Sequence, residues 1–128
     1  MANVVKLGRR PKVFKEISVH LTLPDGSEGL IPVTFKYMEK TEYGAWKDKL
    51  AAVAKTLAKD GEFSWEAVYE ASGSAAVDAL LEVIESWGLD EPLGRDALLQ
   101  LEEECGAGAF PALFEAFGRA CLEGRLGN

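Results

Sequence analysis

In this chain of 128 residues the side chains able to do chemistry are few, and they are poorly placed for it. His20 is the only histidine, so any Ser–His–Asp or Cys–His arrangement has to use it. Its neighbours two positions away are Ser18 and Thr22, on the polar side of an alternating segment. That pattern describes a surface residue on a strand, not a base held in a cleft. One His and two distant Cys also fall short of a structural zinc set. Cys105 and Cys121 each lie inside an expected helix and read as small buried apolar residues, not as a disulfide framework. Glu102, Glu103 and Glu104 are consecutive, so on a helix they fan around the axis and do not converge on an ion. They describe a solvated face. Asp90 and Glu91 beside Trp87 are the most interesting carboxylates, in a loop where turn or capping hydrogen bonds are their ordinary work. An acid/base pair would need one of them desolvated. The stretch Gly106-Ala107-Gly108 lacks the Lys-Ser/Thr of a phosphate loop and follows no strand. No catalytic residue, metal ligand or cofactor site is expected, and the chain reads as a binding protein, not an enzyme.

The elements that would position these residues follow from periodicity. Residues 1–12 show no sustained period and are expected to form an arm or short irregular strand. From Phe14 to Leu23 the sequence alternates, with Ile17, Val19, Leu21 and Leu23 on one face and Glu16, Ser18, His20 and Thr22 on the other. Pro24-Asp25-Gly26-Ser27 supplies a turn, and Ile31, Val33, Phe35 and Tyr37 resume the alternation. Pro32, lacking an N–H, suggests that this second strand is an edge. A lone hairpin is marginal, so helices must cover its apolar face.

The remainder has helical spacing. Thr41 is a candidate cap for a stripe of Tyr43, Trp46, Leu50, Val53 and Leu57, ended by Asp60-Gly61. A short helix capped by Ser64 carries Trp65, Val68 and Tyr69. Val77, Leu80, Leu81, Ile84 and Trp87 make the next stripe, stopped by Gly88. Then come a short helix through Leu98, Leu101 and Cys105, and a last one with Phe110, Leu113, Phe114, Phe117 and Cys121 on one face. The expected fold is α+β: an N-terminal antiparallel hairpin of two or three strands packed on four to five helices. It forms a single domain over 1–128, with the arm and hairpin in 1–38, a helical body in 39–124 and a short tail in 125–128.

Charge is unevenly spread. Through Lys59 there are 11 Lys/Arg against 6 Asp/Glu; from Asp60 onward there are 3 against 15, which together give the net −7. The acidic excess argues against nucleic acid, and a basic front with an acidic rear favours salt-sensitive head-to-tail association. No signal-peptide core and no run near the ~20 apolar residues of a membrane span is present, so the expected location is the cytoplasm. Most aromatic residues fall on core stripes. Trp65 and Tyr69, on a short helix between Gly61 and Gly73, are candidates for contact with a partner helix, as are Trp87 and the loop residues Asp90 and Glu91 that follow it.

Four stretches carry a resemblance, in order along the chain: Lys6-Leu7-Gly8-Arg9-Arg10-Pro11-Lys12, the strand-turn-strand around Pro24-Asp25-Gly26, Trp87-Gly88-Leu89-Asp90-Glu91-Pro92, and Glu123-Gly124-Arg125-Leu126-Gly127-Asn128 after an aromatic-rich helix. With them the chain resembles the tail assembly chaperone family of long-tailed bacteriophages and prophages. It departs from the family where Cys105-Gly106-Ala107-Gly108-Ala109-Phe110-Pro111 replaces a Tyr-Pro-like opening of the aromatic helix. The resemblance implies a protein that binds the helical tape measure protein, keeps it soluble, helps recruit tail tube subunits and leaves before the tail is finished. It also implies two product lengths made by ribosomal frameshifting, with Asn128 ending the shorter one. The alternative expectation is another tail structural or completion protein retained in the virion.

Overall fold

Two alternating segments joined by turn residues fold back on each other as β1 (Val13–Thr22) and β2 (Glu28–Lys36), an antiparallel pair. The computed structural model describes residues 4, 7–8, 10–58, 75–106 and 108–123, with backbone alone over 51–58. The turn is a three-residue loop closed by Leu23 N–H to Ser27 O (2.8 Å) and Gly26 N–H to Leu23 O (2.9 Å). Gly26 has φ 87°, the left-handed conformation such loops require of their last residue. Asp25 accepts hydrogen bonds from the hydroxyl and the backbone N–H of Ser27, and these hold its carboxyl below the usual range.

The alternation places Ile17 and Val19 of β1 and Ile31, Val33 and Phe35 of β2 in the core. Phe14 is buried with them although its parity is opposite. The register moves from Phe14↔Phe35 to Ile17↔Val33, so Lys15 and Glu16 together oppose Thr34. This is a β-bulge, with Glu16 at φ 40° and its N–H donating to Thr34 Oγ1 at 3.3 Å. The expected unbroken alternation from Phe14 is corrected accordingly.

Four helices stand among the described residues. They are α1 (Lys40–Ala58), α2 (helical over 75–83), α3 (Arg95–Cys105) and α4 (Ala109–Glu123). The architecture is α+β, with the helix number at the lower end of the expected four to five. The short helix expected from Ser64, with Trp65 and Tyr69, lies outside the described residues, as do Asp60-Gly61 and the tail at 125–128. The start of α1 also differs from expectation. Glu42 Oε1 reaches back to accept the Glu39 N–H at 3.1 Å, so Glu39 occupies the cap position and Thr41 lies within the first turn.

The larger correction concerns Ile84 and Trp87, expected on the end of a helix. α2 stops at 83 and Ile84–Trp87 forms β3, pairing antiparallel with β2 in a sheet of order β1-β2-β3. β2 is therefore the central strand, not an edge. Pro32 is accommodated because β3 ends opposite it: Val33 pairs with Trp87, and beyond that Gly88 N–H donates to Pro32 O at 2.8 Å. A strand residue directs its N and its C=O to the same side, so the missing N–H falls at the point where the ladder stops.

One face of the sheet packs on the helices. Tyr43 and Trp46 of α1, Val77, Leu80 and Val83 of α2, Leu98 of α3 and Phe110, Leu113, Phe117 and Ala120 of α4 are all buried. The spacing of three and four in α4 puts its four contributors on one side. Phe117 is central, with its ring 5.1 Å from Phe35, 5.1 Å from Trp46 and 5.7 Å from Tyr43. Burial of each such side chain contributes about 1.5–3 kcal/mol.

Candidate protein-binding site

The loop after β3 is built from its first residues. Gly88 lies so close to Pro32 that a Cβ there would come within 3.0 Å of the proline ring. Trp87 is half-buried, and its indole Nε1–H donates to Glu91 O at 2.8 Å, folding residues 88–91 back over the strand end. The loop then enters α3, where Leu98 N–H donates to Gly94 O at 3.0 Å. Arg95 Nη1 lies 2.6 Å from Asp78 Oδ1, tying the first turn of α3 to α2.

Between this loop and α3 a cleft of about 150 Å³ opens, with Trp87, Leu89, Leu101 and Cys105 on its apolar side and Glu91 and Glu104 at its edge. Small-molecule pockets span roughly 300–1,000 Å³. The cleft is the size of a seat for one side chain. Among the described residues no basic side chain lines it. Within α3, Leu98 is fully buried, whereas Leu101 and Cys105 are half-buried, so the helix divides its apolar stripe between core and cleft. Glu102 is partly withdrawn from water. Burial, then the neighbouring charge of Glu103, raises its carboxyl above the ordinary range.

A wider groove lies between α1 and α4, lined by Tyr43, Lys47, Phe114, Gly118, Arg119 and Leu122 among others. Its charges are mixed and partly paired, Arg119 with Glu115 in the same helix. Cys121 is half-buried beside it. Burial, and then Glu42, push its thiol up to about 11, which keeps it protonated.

The structure thus brings Trp87 and Glu91, two of the five residues singled out from sequence, into one cleft, with Asp90 exposed on the same loop. Trp65 and Tyr69 lie outside the described residues. Leu89, Leu101, Cys105 and Glu104 were not singled out as site residues. In the sequence Leu101 and Cys105 belong to the α3 stripe with Leu98, and Cys105 reads as buried; the structure leaves both half-buried. His20 is on the open face of the hairpin with its Nδ1 2.7 Å from Glu28 Oε1, both side chains exposed. Among the described residues no group of three or more His, Cys, Asp or Glu is placed to hold a metal ion. No helix is long and apolar enough to cross a membrane among those residues.

Compared with known proteins, the sequence matches over residues 1–128 the family model described as phage tail assembly chaperone. No curated protein and no solved structure matches it.

Proposed function

Because the chain belongs to the phage tail assembly chaperone family, we propose that it binds the tape measure protein of its phage or prophage, keeps it soluble and helps recruit tail tube subunits. The observation that carries this reading is the extent of the family match, which takes in hairpin, cleft and helices alike. Chaperone families of this kind are generally non-enzymatic.

The physics of the chain suits the role. A client with a long apolar helical stripe aggregates unless a partner covers that stripe and adds charge of one sign. The chain carries a net charge of −7, with the acidic excess in the half that contains the cleft. The work takes place in the cytoplasm of the bacterial host, before the tail is complete. Of the residues expected to contact a partner, Trp87, Asp90 and Glu91 lie on the described loop after β3.

Co-expression with the long helical protein encoded beside it in the phage genome tests the reading. The expected result is a tape measure protein that stays soluble and co-purifies with this chain, while purified virions lack the chain. An insoluble client in the presence of a soluble, folded chain would overturn it. So would a chain retained in stoichiometric amount in finished particles, which would make it a structural tail component.

A further inference from the structure

The start of the chain has what the cleft lacks. Leu7 is 95% exposed and Val4 87% exposed, and four basic residues, Lys6, Arg9, Arg10 and Lys12, surround Leu7 in the sequence. The cleft presents an apolar floor with Glu91 and Glu104 at its edge. An aliphatic side chain flanked by cations is the complement of an apolar seat flanked by carboxylates.

The two features meet the sheet at different points along β2. The root of the arm is tied where β2 runs into α1: Tyr37 N–H donates to Lys12 O at 3.2 Å, and Arg10 Nε lies 2.6 Å from Glu39 Oε1. The cleft begins after Trp87, opposite Val33, where Gly88 N–H donates to Pro32 O. We propose that Leu7 of one copy fills the cleft of a second copy, with the basic residues of the arm against Glu91 and Glu104. Each copy then uses its arm once and its cleft once. One such contact leaves an arm on one copy and a cleft on the other free for further copies. It does not depend on the tape measure reading and is tested without that protein.

Sedimentation velocity on the full chain and two variants decides it. Leu7→Asp disables the arm; Glu91→Lys with Glu104→Lys disables the cleft. All three positions are exposed, so the core is untouched. Wild type is expected to grow beyond the 13.9 kDa monomer as concentration rises and to dissociate in ~0.5 M salt, where charges a few ångströms apart are already screened. Each variant alone is expected to be monomeric. An equimolar mixture of the two is expected to form a one-to-one heterodimer and nothing larger, because one intact arm meets one intact cleft.

A wild type that is monomeric at every concentration overturns the proposal, as does either variant assembling like wild type or a mixture that stays monomeric. A chain that is monomeric alone but accepts a basic amphipathic tape measure segment in the cleft also overturns it, by assigning the cleft to a different occupant.

Discussion

The hydroxyl of Tyr43 rests on the backbone of Gly118, so near that a Cβ at that glycine would meet Oη at 2.8 Å. This contact brings α1 close to α4 at the level of Phe117, whose ring stands edge-on to Tyr43 at 5.7 Å. Tyr43 is itself buried, with Trp46 5.8 Å away, so moving its ring disturbs the aromatic cluster.

Gly118→Ala is therefore expected to destabilise the protein. Overpacking costs about 1–3 kcal/mol, offset in part by the ~1 kcal/mol that alanine gains over glycine inside a helix. In a Tyr43→Phe background the nearest ring atom, Cζ, is 3.5 Å away and the same alanine fits. There the substitution is expected to stabilise by up to ~1 kcal/mol. Chemical denaturation of the four proteins of this cycle gives the coupling directly.

Phe117→Ala removes a fully buried ring that touches Phe35, Tyr43 and Trp46. The expected loss is ~3–5 kcal/mol, enough to consume much of the stability of a domain this size. Trp46→Phe is expected to cost far less. It gives up volume but also removes an indole N–H that is buried without a hydrogen-bond partner among the described residues. Thermal melts of both variants rank the two effects.

Trp87→Phe keeps the aromatic body and deletes the bond from Nε1 to Glu91 O. About 1 kcal/mol of local stability should be lost. The native state rises against every state in which the bond is broken, so amide exchange should accelerate at residues 88–91 and, by no more than the same factor, at core amides that exchange through global unfolding.

The Cys121 thiol should be unreactive and should leave a mark on pH stability. With its thiol pushed from 9.0 up to about 11, Cys121 holds roughly a hundredfold less thiolate than it would at the ordinary value, so iodoacetamide near pH 8 should spare it in the folded protein and modify it after unfolding. The folded pKa lies above the unfolded one, so the unfolded chain loses its proton first. The stabilising contribution is complete below pH 9 and disappears as pH climbs through about 11. Cys121→Ala should flatten that part of the pH–stability curve.

How far the sequence could be read turns on two bulged strands. The hairpin was visible because Ile17, Val19, Ile31, Val33 and Phe35 alternate as a half-buried sheet must, and all five are buried. The helical stripe Tyr43, Trp46, Leu50 was equally plain. Ile84 and Trp87, however, are three residues apart, the spacing of one helix face. They share the core side of a strand only because the register shifts between Thr34 and Phe35, leaving Glu85 unpaired. Phe14 and Ile17 have the same spacing for the same reason. A bulge in a strand imitates a helical step, and only the open side of β2 decides between them. The cleft was half legible. Trp87 and Glu91 stood out by type, but Leu89, Leu101 and Cys105 join them through the packing of a loop on a helix, which no local pattern encodes.

Pro32 has an effect beyond the strand it interrupts. A third strand sliding along β2 by one position would place a different residue against a nitrogen that carries no hydrogen, and would turn every side chain of that strand to the other face. The imino acid thus works as an end stop that counts residues. It fixes where β3 finishes, and with it the distance and the rotation at which Trp87 is handed to the loop. The aperture above α3 inherits its alignment from an atom that is missing on the neighbouring strand.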